Sequence, residues 1–264
     1  MNQPHSGAEV RYERLHPDEI AAQRQACPVA YLPVGTLEWH GGHLPVGNDA
    51  LKAHALCVRF ARALGGLVMP AIYWGDNRAE LAEVVFRPER FTHLKEDHTR
   101  GIAAAYGLTP EHFAAAADKA SASGGWELFE RLLVWSFRQL ESLGFEVAVV
   151  ICGHYPTKGP AQRAAEQYRG EGRMRVLPYI GYDLVKDQGF TGDHAARWET
   201  SLLMALETDL VDLSRLGSPG PDGYLGVLGE DPTTASAQYG ERGIAAMTEA
   251  LRRLIQEALR ERPS

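Results

Sequence analysis

Four short apolar runs govern what this chain can fold into: "CPVAYLPVG" (27–35), "GGLVMPAIYWG" (65–75), "FEVAVVICG" (145–153) and "RMRVLPYIGYDLV" (173–185). They are near-continuous rather than alternating, the pattern of strands buried on both faces. Segments of helical period separate them. "ALKAHALCVRFARALGG" (50–66) ends in a glycine stop, and "GWELFERLLVWSFRQLESLGFEV" (125–147) keeps three- and four-residue apolar spacing until Gly144. Strands alternating with helices of this length predict an α/β fold with a mostly parallel sheet covered on both faces. Further helices are expected at 157–169, 195–208 and 240–261, the last with one stripe of Ile244, Met247, Leu251, Ile255 and Leu259. No internal repeat or linker-like composition divides the chain, so residues 1–264 read as one domain. The stretch 87–125 is less regular: Thr109 caps a helix with Pro110 at its first position, and the segment reads as an excursion or lid near the site.

Composition narrows the class of partner. A net charge of −7, with 27 basic residues that form no long run, offers nothing to a phosphate backbone, so nucleic acid is not expected. Three cysteines, Cys27, Cys57 and Cys152, suit a reducing cytoplasm better than a disulfide framework. No run of eighteen apolar residues and no signal-like N-terminus are present, so a soluble, cytoplasmic protein without membrane contact is expected.

The chemistry concentrates behind the strand-like runs. In "PVGTLEWHGGHLPVGND" (33–49), Glu38 and His40 are one residue apart, which in extended chain points a carboxylate and an imidazole to the same side. Gly41 and Gly42 let the backbone turn. Asp49 then arrives at the mouth of a helix expected from Ala50, where an acid caps the orphan amides; a carboxylate there could also bridge two cations through its two oxygens. His43 reads as a turn residue. In "VAVVICGHYPTKGP" (147–160), His154 follows a strand and so stands at the carboxyl edge of the sheet, where open α/β folds hold ligands. In "GDHAARWETSLLMAL" (192–206), His194 and Glu199 would lie about 140° apart on one helix. They can share a task if His194 stays in the preceding loop with Asp193 as the cap.

These residues carry a resemblance. "LPVGTLEWHGGHLPVGNDALKAHAL" is similar to the signature of the creatininase (creatinine amidohydrolase) family, and "VICGHYPTKGP", "GDHAARWETSLLMAL" and "GVLGEDPTTASAQYGERG" (226–243) resemble later motifs of that family in the same order. The resemblance implies a single-domain three-layer α/β/α sandwich, assembly into a homo-oligomer, often a hexamer, and a two-metal site that hydrolyses a C–N bond in a cyclic amide or formamide. It implies that Glu38 and His154 bind one divalent metal and His40 the other, and that Asp49 bridges them. Tyr155 and His194 would meet the small-molecule substrate, with His194 assisting proton transfer. The chain departs from the pattern at Pro156, where creatininase has a metal-binding glutamate, and at Cys152, where an asparagine is usual. Glu199 is then expected to help fill the second position or to orient water. Zinc, manganese and iron all suit such donors. Two other readings stand beside hydrolysis: a non-catalytic, metal-stabilised binding or assembly protein, and a metal-dependent biosynthetic enzyme that does not hydrolyse.

Overall fold

The computed structural model describes residues 9–75 and 85–261. Four strands, β1 (Val29–Val34), β2 (Leu67–Val68), β3 (Val147–Cys152) and β4 (Arg175–Ile180), form one parallel sheet in the order β2-β1-β3-β4. The helices among the described residues are α1 (Pro17–Ala26), α2 (Asn48–Leu64), α3 (Thr99–Ala105), α4 (Pro110–Ala122), α5 (Gly125–Ser142), α6 (Lys158–Arg169), α7 (Arg197–Leu206) and α8 (Ala237–Arg260).

Every residue of β1 and β3 is buried, as their unbroken apolar character requires. Val29, Tyr31, Val147, Val149 and Ile151 enter one core with Leu56 and Phe60 of α2, Trp198 and Leu202 of α7, and Met247 and Leu251 of α8. Their neighbours Ala30, Leu32, Ala148 and Val150 point the other way, onto Leu133 and Phe137 of α5 and Ala161, Ala164 and Tyr168 of α6. This two-residue alternation makes a three-layer α/β/α sandwich. Each of the larger apolar side chains contributes about 1.5–3 kcal/mol by leaving water.

Two of the apolar runs are shorter strands than expected. The second pairs only at Leu67–Val68: the Met69 amide still donates to the Tyr31 carbonyl at 2.8 Å, the chain then passes Pro70, and it regains β1 as a single bridge between Ile72 and Val34. The fourth leaves the sheet after Ile180 and enters a 3₁₀ turn over Gly181–Leu184. At the other end of the chain, α8 starts at Ala237 rather than 240, with the Ser236 hydroxyl accepting the Tyr239 N–H at 3.2 Å. In the less regular stretch, α4 begins at Pro110 as expected, and Val85, Phe86, Leu94 and Ile102 form a small core against Trp39 and Phe91.

What positions the functional loop is the seating of α2 on the sheet. A Cβ on Gly35 would lie 2.3 Å from the Ala50 amide nitrogen, and one on Gly153 would lie 2.0 Å from the Asp49 carbonyl oxygen. Only glycine just beyond β1 and just beyond β3 lets the first turn of α2 rest against both strand ends. A Gly153→Ala substitution should push that turn away and destabilise the protein by roughly 1–3 kcal/mol, the usual cost of overpacking. Denaturant unfolding would register this as a lowered midpoint, and an unchanged midpoint would refute the packing argument.

Candidate metal centre

The loop from Gly35 to Asn48 folds back on itself. The Glu38 amide donates to the Val46 carbonyl at 3.0 Å, and Gly41 takes φ +70° at the turn. This turns the Glu38 and His40 side chains inward, where both are almost wholly buried. Asp49 is not the helix cap expected from sequence: α2 already begins at Asn48, after Gly47, so Asp49 sits within the first turn. Its carboxylate faces His40 and His154, and the positive end of the helix dipole still favours its charge.

The imidazoles reveal what this cluster lacks in positive charge. His40 Nδ1 lies 3.2 Å from the Glu38 backbone carbonyl, which can only accept, so Nδ1 carries the hydrogen. The lone pair on Nε2 therefore points at Asp49 Oδ1 (3.0 Å), Glu38 Oε1 (3.6 Å) and Glu199 Oε2 (3.6 Å). His154 Nδ1 faces Glu38 Oε1 at 2.9 Å and Asp49 Oδ2 at 3.2 Å, and its buried Nε2 has no hydrogen-bond partner. A lone pair opposed to anionic oxygens is unfavourable unless a proton or a cation sits between them. Burial alone would lower His40, yet Asp49, Glu199 and Glu38 outweigh it and push it up to about 9; His154 is raised well above the ordinary value by Glu38 and Asp49 in the same way. Burial would raise the Asp49 carboxyl, but His40, His154 and Lys52 hold it well below its usual range.

Among the described residues, three sets have donor atoms within 4.8 Å of one another: Glu38, Asp49 and His154; His40, Asp49 and Glu199; and Glu38, His40 and His194. Mixed imidazole nitrogen and carboxylate oxygen, buried and convergent, is the donor chemistry of zinc, manganese and iron sites. Asp49 belongs to two of the sets, one oxygen facing each imidazole.

His194 lies outside α7, as its distance from Glu199 on a helix required. It pairs with Leu228 through a single antiparallel bridge, while both oxygens of Asp193 take the Trp198 and Glu199 amides of the first turn. His194 Nε2 donates to the Trp39 carbonyl at 2.8 Å, leaving the Nδ1 lone pair 3.6 Å from Glu38 Oε1. Its ring stacks on His40 with centroids 4.4 Å apart and has Phe86 at 5.1 Å. Burial and the neighbouring His40 lower it below the ordinary imidazole value. His43 stays out of the donor sets: it is buried, its Nε2 meets the Thr200 hydroxyl at 3.0 Å, and burial pushes it down to about 4. Cys152 is likewise buried and outside them, its thiol pushed up to about 12.

Lys52 and Asp193 were not anticipated as parts of the centre. Lys52, one turn along α2 from Asp49, is buried with its ammonium on Glu199 Oε1 and 3.5 Å from Asp49 Oδ1. Asp193, read only as a cap, is also raised to about 7 by burial and by Glu199. The centre opens into a cavity of about 620 Å³ whose walls include Phe86, Phe91, His93, Tyr182 and Leu228. Tyr155, expected at the substrate, lines the same cavity and stands 59% exposed, its ring stacked 6.5 Å from that of Tyr182; Pro156 is beside it. Arg87 and Arg90 belong to the loop near Phe91, and Arg78 falls outside the described residues.

Comparison with known proteins identifies a family and a fold. The profile described as "Creatininase: Creatinine amidohydrolase" matches residues 13–105 and 99–255. A creatinine amidohydrolase of Pseudomonas putida is 28% identical over 71% of this chain and 68% of its own length. A mycofactocin precursor peptide peptidase of Mycobacterium ulcerans (strain Agy99) is 28% identical over 84% of this chain and 82% of its own. A crystal structure of creatininase superposes with a TM-score of 0.68 at 24% identity, covering 94% of this chain and 97% of that one. A zinc–zinc form of a creatininase variant (TM-score 0.68, 24% identity, 95% and 98% covered) and a manganese form (0.65, 24%, 95% and 98%) share the fold. With the profile spanning most of its length, and a buried acid–imidazole centre at the carboxyl edge of its parallel sheet, the chain belongs to the creatininase family, whose members are metal-dependent amidohydrolases.

Proposed function

We propose that this protein hydrolyses an amide C–N bond in a small molecule, with a divalent cation held by Glu38, Asp49 and His154. The observation that carries this reading is the convergence of imidazole nitrogens on shared carboxylates at the floor of the cavity. A second position, at His40, Asp49 and Glu199, shares Asp49 with the first. Zinc and manganese are the favoured cations, since both occur in forms of structurally similar creatininases and both accept these donors. When bound, such a cation supplies Lewis acidity toward the scissile carbonyl and lowers the pKa of water.

The protein's own residues divide the remaining work. His194 is neutral near pH 7 and, with Nε2–H tied to the Trp39 carbonyl, presents Nδ1 as the base that takes a proton from the attacking water and returns it to the leaving nitrogen. Phe86 packs on that ring and limits access of bulk solvent. Tyr155 and Tyr182 form an aromatic rim at which a planar amide could stack. The cavity volume lies within the range of about 300–1,000 Å³ typical of small-molecule sites. Cyclic amides and formamides fit this reading, and the peptidase relative adds a short peptide amide to the same bond class.

Chelation should abolish hydrolysis across a panel of cyclic amides, formamides and short peptides, and zinc or manganese should restore it. The chelated protein should also melt earlier, because a ligand at a hundred times its Kd stabilises the folded state by about 2.7 kcal/mol. Asp49→Ala should lose both metal and activity; metal content and turnover that survive this change would defeat the reading. His194→Gln should retain metal yet lower kcat by roughly 10²- to 10⁴-fold. Since burial lowers His194, the acid limb of kcat/KM should fall below the ordinary histidine value of about 6.5, and a limb above it would exclude His194 as the base.

A further inference from the structure

We propose that Lys52 serves as the resident cation of the second position, so that the buried centre takes one divalent ion per chain, at Glu38, Asp49 and His154. The inference rests on the metal-dependent reading above and fixes its stoichiometry.

The second donor set consists of His40, Asp49 and Glu199. Lys52 is buried and places its ammonium on two of these three, against Glu199 Oε1 and 3.5 Å from Asp49 Oδ1. The other oxygen of Glu199 is also engaged, accepting the Ala195 amide at 2.8 Å. Ala195 holds that amide in place at φ 55°, the one positive φ at a non-glycine residue among those described. A left-handed backbone is unfavourable for alanine and persists where the surroundings enforce it. Here the enforced conformation aims a hydrogen-bond donor at Glu199. Glu199 therefore has one protein donor on each oxygen and is built as the counter-ion of Lys52. As a metal ligand it would have to release one of them.

With Glu199 engaged in this way, the second position retains only His40 Nε2 and Asp49 Oδ1, fewer than the three protein ligands usual at a catalytic zinc, and the set of Glu38, His40 and His194 depends on Glu38 Oε1, the oxygen that the first position already uses. At the first position three donors converge without a lysine among them: Glu38 Oε1, Asp49 Oδ2 and His154 Nδ1. Pro156, two residues beyond His154, offers no side-chain donor to repair the deficit.

Charge points the same way. Glu38, Asp49 and Glu199 bring three negative charges, and Lys52 offsets one. A single divalent ion then neutralises the remainder. Asp193 supplies no donor atom to either position, since both its oxygens take α7 amides. A second divalent ion would face the ammonium across shared carboxylates in a water-poor interior, where like charges repel strongly.

The test begins with metal-free protein titrated with Mn²⁺, the bound ion counted by elemental mass spectrometry and observed by electron paramagnetic resonance. Wild type should bind one equivalent and give the spectrum of an isolated ion. Lys52→Met should admit a second equivalent and give the spectrum of an exchange-coupled pair, whereas Lys52→Arg should remain at one. Two equivalents in the wild type, or one in a folded Lys52→Met protein, would overturn the assignment. Should Lys52→Met fail to fold, the wild-type count and spectrum decide alone. A wild type that binds no Mn²⁺ or Zn²⁺ at Glu38, Asp49 and His154 would instead sink the metal-dependent reading itself. Two bound ions with intact amide hydrolysis would remove only the role given to Lys52.

Discussion

The contact between the first turn of α2 and the ends of β1 and β3 sets the geometry of the centre. Gly35 and Gly153 have no side chain to hold that turn away, and their backbones lie close against Ala50 and Asp49. Three consequences follow from this one packing event. Asp49 comes between the loop after β1 and the loop after β3, His154 comes within reach of Glu38, and Lys52 is carried one helical turn along into the same interior. A helix docked even a side chain farther out would leave these groups as ordinary exposed acids, bases and a lysine. The parallel sheet explains why the contact occurs here: its strands all end at the same edge, so loops distant in sequence meet there.

Packing so many charges in the interior is costly unless they are paired. The fold pairs them by direction as well as by proximity. Backbone carbonyls at Glu38 and Trp39 bind one nitrogen each of His40 and His194, which sends the remaining lone pair of each ring toward the carboxylates. Backbone amides at Ala195, Trp198 and Glu199 fix Glu199 and Asp193. Held in this way, the imidazole nitrogens stay aimed at the carboxylates, an arrangement that attracts a cation. The preorganisation has a local cost in the backbone, visible at Ala195.

How far the sequence exposes such a centre depends on the distance over which each signal acts. The buried strands were legible because hydrophobic continuity is local, and Glu38 and His40 because extended chain fixes their common side. His194 was assignable to a loop because a task shared with Glu199 required it and Gly192 and Asp193 allowed it. The length of the second strand was less legible, since the apolar run continues through Pro70 to Ile72 while the paired stretch ends at Val68. Asp49 was placed one step wrongly, as a cap, because helix starts are set by backbone geometry at Gly47 and Asn48 that side-chain preferences mark only loosely. Lys52 was illegible for a different reason. In "NDALKAHAL", a lysine three residues after an aspartate looks like a solvated helix pair, and the partner that buries it, Glu199, is 147 residues away.

The same reasoning locates where members of this family can diverge in substrate while keeping one centre. The donor residues of the candidate centre sit on the loops just after β1 and β3, on α2 and at the start of α7, next to elements that pack into the two cores. The cavity walls come from elsewhere: Phe86, Phe91 and His93 from the segment after residue 85, Tyr155 and Pro156 from the turn after β3, and Tyr182 from the turn after β4. Turns and excursions change with little effect on the sheet, whereas Gly35, Gly153 and Asp49 are constrained by contacts of backbone with backbone. Relatives that differ in substrate, a creatinine amidohydrolase and a peptide peptidase, can therefore both resemble this chain, and Tyr155 and Phe91 become more informative about what it binds than the donors proposed for the cation.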